Sequence, residues 1–148
     1  MAAMNLMAYP GEVALTTAAK TVVQVIAPAN IRIRIKGWSV SFDGTSTTAA
    51  PVLVRLLRQT SAGTVSALTL TKMGMAGSET IQSTAGHTAT AEPTAGDVLD
   101  AVNVHPQGGF EKVFLPGDEI IVPGGGRLGI ECTAGAAVNV LPKIWFEE

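Results

Sequence analysis

The side chains able to do covalent or metal chemistry are few and scattered. His87 and His105 lie too far apart in the chain for one helical turn or short loop to pair them, and neither belongs to a His-Glu-x-x-His pattern. A metal site on a small cupin-like barrel wants a His-x-His pair with a nearby glutamate. His105-Pro106-Gln107-Gly108-Gly109 offers one imidazole ahead of a turn, which suits local hydrogen bonding better than ligation. Cys132 follows Leu128 and Ile130 with period two, so it is expected in the core. Its neighbour Glu131 has the wrong sign to lower a thiol pKa. No Gly-x-Ser-x-Gly elbow occurs. Asp118-Glu119 and Glu147-Glu148 are adjacent pairs at a turn and at the chain end, not carboxyls facing each other across a cleft. Gly124-Gly125-Gly126 precedes a strand pattern rather than Lys-Ser/Thr and a helix, so it reads as a tight turn and not a phosphate cradle. The sequence therefore predicts no catalytic residues, no metal and no cofactor, and points to recognition instead.

Composition narrows what could be recognised. The chain has 148 residues, enough for one domain with its own core. It is 47% hydrophobic but only 15% charged, against about a quarter in an average soluble domain. So few charges cannot coat a surface in the usual way, and part of the outside is expected to be covered by a partner. Ten basic and twelve acidic residues leave a net charge of −2, which gives no reason to expect nucleic acid. A single cysteine permits no internal disulfide. The first fifteen residues hold no Lys or Arg before an apolar stretch that Pro10, Gly11 and Glu12 interrupt, so no secretory signal is expected. No run approaches the roughly twenty apolar residues that cross a bilayer. The expectation is a soluble protein made in a cytoplasm, with no membrane partner.

The elements that must position any site are strands, because the apolar residues recur with period two in short stretches broken by Gly, Pro, Ser and Thr. In Ile31–Lys36 three isoleucines share one face and Arg32, Arg34 and Lys36 the other. After Gly37 the parity switches to Trp38, Val40 and Phe42, and a bulge at Gly37 would keep both apolar sets inward. Further strands are predicted at Thr21–Ile26, Val52–Gln59, Val65–Lys72, Val98–Val104, Glu111–Phe114, Glu119–Val122, Arg127–Thr133 and Ala137–Phe146. Ser61–Gly63 and Pro123–Gly126 are short enough for hairpins. The segment Gly74–Gly96, rich in Ala, Thr, Ser and Gly, reads as a long crossover, with its best helical chance between Ser78 and Gly86. Residues 1–12 read as an apolar N-terminal arm and residues 13–148 as the domain. The fold class is all-β: a single jelly-roll-like antiparallel β-sandwich with an extended arm. Should their strands be neighbours, Arg32, Arg34, Lys36, Arg55 and Arg58 would form one basic stripe, either a solvated face or a contact for an acidic protein. Trp38 belongs to an inward set, so Trp145 is the main spare aromatic for a sugar contact.

The run from Phe114 to Ile130, a strand, a Gly-rich turn and a strand, together with His105–Gly109 and the terminal Phe146-Glu147-Glu148, resembles the jelly-roll accessory proteins that decorate the heads of tailed bacteriophages. The resemblance covers most of the chain from Ile31 to Glu148 and carries no catalytic residues. It implies a non-enzymatic virion protein on the capsid surface, made in the host cytoplasm, a homotrimer whose partner is the major capsid protein. The apolar arm, with Met4, Leu6, Met7 and Tyr9, then suits insertion into a neighbour, and Arg32, Arg34 and Lys36 suit a second contact. The alternative is a carbohydrate-binding or host-attachment jelly roll of a phage tail or fibre, with Trp145 against the sugar.

Overall fold

The computed structural model describes residues 3–45, 50–74 and 77–148. Among these there is no helix, and thirteen strands form two antiparallel sheets packed face to face as a β-sandwich. The first sheet is centred on β4 (Ile33–Phe42) and β13 (Val138–Glu147). The far edge of β13 holds β1 (Asn5–Ala8) and β2 (Val13–Leu15) in line, one strand interrupted around Pro10 and Gly11, whose φ of 82° favours glycine. Beyond β1 lies the short β7 (Thr71–Lys72). The outer edge of β4 holds β10 (Gly109–Val113) and β11 (Ile120–Val122), also in line, with Leu115–Glu119 looped out between them.

The second sheet runs β6 (Thr64–Leu68), β8 (Thr84–Ala91), β3 (Lys20–Ile26), β12 (Arg127–Thr133), β5 (Val52–Gln59) and β9 (Ala95–Val104). From β2 to β5 and again from β9 to β13, except within the β10–β11 line, the chain changes sheet at each step. Among the described residues no two strands that follow one another in the chain pair together.

The core lies between the sheets. Ile33 and Ile35 are fully buried, and so is Trp38, with Val40 and Phe42 beside it, so both parities of β4 face inward as predicted. The register explains how: Trp145 pairs with Gly37 but Phe146 pairs with Ile35, leaving Lys36 as the extra residue of a bulge. Gly37 is required there, because a Cβ would stand 2.4 Å from the Trp145 ring and 2.7 Å from the Lys112 carbonyl oxygen. Facing side chains from the second sheet, Val23, Val25, Val54, Leu56, Leu128 and Ile130, complete the core. Each such burial stabilises by about 1.5–3 kcal/mol.

Several expectations change. Of the expected arm, residues 1 and 2 lie outside the described residues, and the rest is no free arm. β1 is hydrogen-bonded on both edges, and its Leu6 and Ala8 are fully buried. The two expected hairpins are not hairpins. Pro123–Gly126 carries the chain from β11 to β12 in the other sheet, and Ser61–Gly63 leads from β5 to β6, which pairs with β8 instead. Of Gly74–Gly96, residues 75 and 76 lie outside the described residues. No helix forms between Ser78 and Gly86, and Thr84–Ala91 is a strand. Val65–Lys72 divides into β6 and β7, one in each sheet.

Candidate functional site

The basic stripe does not form on adjacent strands of one sheet, because β4 and β5 belong to different sheets. Lys36, drawn out by the bulge, is held by two carboxylates, Glu119 at 3.0 Å and Glu147 at 2.8 Å. Both bonds raise its pKa, that to Glu147 most. Glu119 also accepts a hydrogen bond from the Gly117 amide at 2.7 Å, and this, with Lys36, brings its pKa down to about 2. The triad pins the loop Leu115–Glu119 against the sheet and leaves Lys36 no spare positive charge to offer an acidic partner. Arg55 is likewise paired, its Nε 3.0 Å from the buried carboxylate of Glu131. Arg32 and Arg34 are exposed.

The indole of Trp145 lies across Gly37 on the outer face of the first sheet, in a row with Met7 on β1 and Val113 on β10. It is half-buried and covers the backbone that the glycine leaves bare, a cross-strand aromatic supporting a glycine. Next along, the ammonium of Lys143 sits 5.5 Å from the centre of the Tyr9 ring. Of the four arm residues singled out for contact, Leu6 belongs to the core, Met4 and Met7 are half-buried, and Tyr9 alone is exposed.

Over β3 and β12 the outer face of the second sheet is closed by its own chain. The carboxylate of Glu92 accepts from the amide of Thr21 at 2.8 Å, where β3 bulges against β12. Beneath the turn at Ser61–Gly63, the buried amide of Gln24 donates to Gln59 at 2.6 Å and that of Gln59 to Thr21 at 3.0 Å. The interiors of β3 and β12 are therefore buried on both faces. These polar links were not foreseeable from spacing, since each joins residues 35 or more positions apart in the chain.

The isolated titratable groups behave locally. His87 Nδ1 lies 2.9 Å from its neighbour Thr88 Oγ1, beside a kink where Thr88 takes φ 50°, and among the described residues no carboxylate pairs with it. His105 Nδ1 accepts from the Gln107 amide at 3.1 Å within its turn. Cys132 is fully buried, and burial, with Glu131 beside it, pushes its thiol pKa up. Among the described residues no three His, Cys, Asp or Glu side chains gather as a metal-binding group. A cavity of about 190 Å³ at one end of the sandwich is lined by small and apolar residues such as Val52, Pro106, Ala134 and Val138, with no titratable group.

Large apolar side chains are also exposed, among them Val98 and Leu99 on the edge strand β9, Val113 at the end of β10, and Leu115, 70% exposed, on the loop that follows. No protein-family model, curated protein or solved structure matches the chain.

Proposed function

We propose that the protein is a non-enzymatic structural component of a tailed-phage virion, a decoration protein that binds the outer surface of the head and stabilises contacts between capsomers. The observation that carries this reading is the strand order. With β1–β2 and β10–β11 each taken as one strand, and β6 to β8 as an insertion, eight framework strands remain. One sheet then runs first, eighth, third, sixth, and the other second, seventh, fourth, fifth. Grouped this way, the order supports reading the sandwich as a jelly roll, an architecture frequent in viral capsid domains. The exposed apolar side chains and sparse charge support a protein that works packed against others. The same reading carries the major capsid protein as partner and a homotrimer as assembly, with no nucleic acid or membrane contact. Copies bound between capsomers would favour the expanded head by mass action.

The test is co-sedimentation of the purified protein with heads assembled without it. Saturable binding and greater resistance of the loaded heads to heat are expected; failure to bind overturns the proposal. The carbohydrate-binding alternative has weaker support, because Trp145, its intended stacking surface, is engaged in covering Gly37.

A further inference from the structure

We infer that the end of the sandwich where β4 begins and β11 passes into β12 is a docking surface for a protein partner that presents clustered carboxylates beside apolar side chains. This inference stands on geometry alone and does not depend on the virion reading. The chain has five arginines, and four of them converge here. Arg34 is the register partner of Ile121, and Arg58 reaches across from the second sheet to donate to the Ile121 carbonyl at 3.0 Å. Arg127 opens β12 next to Leu128, which is paired with Arg58, and Arg32 shares a shallow recess of about 590 Å³ with Ala29, Asn30, Ile121, Pro123 and Gly124.

Among the described residues none of these four arginines has a carboxylate within ion-pair distance, and the buried Nε of Arg127 has no hydrogen-bond partner. The fifth, Arg55, is paired, and Lys36 is paired twice. In a chain of net charge −2, all four arginines that lack a carboxylate partner thus stand at one end. Such a cluster raises the local potential and draws an anionic surface to it.

The chemistry around the arginines selects the kind of partner. Ile121 is 37% exposed, Pro123 is exposed, and Leu115 stands on the adjoining loop. Arginine set among apolar side chains is the composition of a protein–protein hot spot, where guanidinium forks take carboxylates two bonds at a time. A nucleic-acid groove would set aromatics among the cations, and no aromatic lines this recess. The recess is also preformed: Gly125 donates to the Pro28 carbonyl at 3.0 Å and Ala27 to that of Gly126 at 3.0 Å, tying the two loops together. Little ordering remains for binding to impose.

The experiment measures fluorescence anisotropy at low ionic strength with a labelled synthetic peptide alternating Glu and Leu, beside a Lys-Leu peptide and a single-stranded oligonucleotide. The Glu-Leu peptide is expected to bind, the Lys-Leu peptide not, and the oligonucleotide more weakly. The double variant Arg32→Glu/Arg34→Glu, at two exposed unpaired positions, should lose about tenfold or more in affinity. Lys143→Glu, the same kind of change on the outer face of the first sheet, should lose much less. Leu115→Ser should weaken the peptide without affecting the oligonucleotide. Equal losses from the Arg32/Arg34 and Lys143 variants, tighter binding of the oligonucleotide, or no binding of the Glu-Leu peptide by the unmodified protein would each overturn the assignment.

Discussion

Lys36 illustrates how a single side chain changes meaning between sequence and structure. In the sequence it completes an alternating row of cations, and that alternation correctly signals a strand and, through the parity switch at Gly37, the bulge. The bulge then turns Lys36 toward Glu119, 83 positions away, and toward Glu147, partners that no local pattern reveals. The consequence is measurable as a pH dependence. Glu119 titrates at about 2 in the folded protein against 4.5 for a free side chain, so its contribution to stability is complete above 4.5 and drains away as pH falls through about 2. Lys36 is shifted the other way, and its contribution, full below 10.5, is lost as pH rises through its higher folded value. Glu119→Gln is therefore expected to lower the urea midpoint at neutral pH, with the gap to the unmodified protein narrowing steadily below 4.5. A gap unchanged by acid would show that the carboxylate's charge is not what pins the loop.

Among the elements, β1 departs furthest from its sequence signature. Asn5-Leu6-Met7-Ala8 has too few residues for a visible alternation, and its apolar character reads equally well as a sticky arm or a buried strand. Two-edged pairing with β13 and β7, together with the burial of Leu6, decides for the strand. Leu6→Ala should then cost about 2–5 kcal/mol of stability by leaving a cavity. Chemical denaturation checks this, and a loss near zero would mean the segment is an appendage after all. The strand β8 was hidden for another reason: Thr84–Ala91 is built of small and hydroxyl residues with weak preferences, and it is paired because Gly86 lets Val65 of β6 lie close against it. The strands β5 and β12 were legible to the residue, since Val and Leu dominate β5 and Leu128, Ile130 and Cys132 alternate along β12. Turn chemistry marked Ser61–Gly63 and Pro123–Gly126 correctly as turns. It could not say that each leads away from the preceding strand rather than back along it, because a turn of three or four residues serves both.

For the molecule as a whole, period and composition were sufficient for the all-β class. The order of strands was not readable, since it depends on which sheet receives each strand, and those contacts join distant parts of the chain. The arginine end was half visible: Arg32 and Arg34 stood out, whereas Arg58 and Arg127 join them only once the two sheets are stacked. The absence of any pairing between successive strands has a kinetic cost, because loops must close before a ladder can form. Refolding from denaturant is expected on the order of milliseconds to seconds, as for other domains built on non-local pairings. A stopped-flow trace complete within microseconds would contradict the topology. Finally, the loop Leu115–Glu119 does more than carry an exposed leucine. It interrupts one edge of the first sheet between β10 and β11, while register shifts against Leu56, Leu57 and Gln59 disturb the β9 edge of the second. Neither of these two edges offers a long flat row of free amides and carbonyls to an identical molecule, which guards both against strand addition in a chain with few charges to keep copies apart.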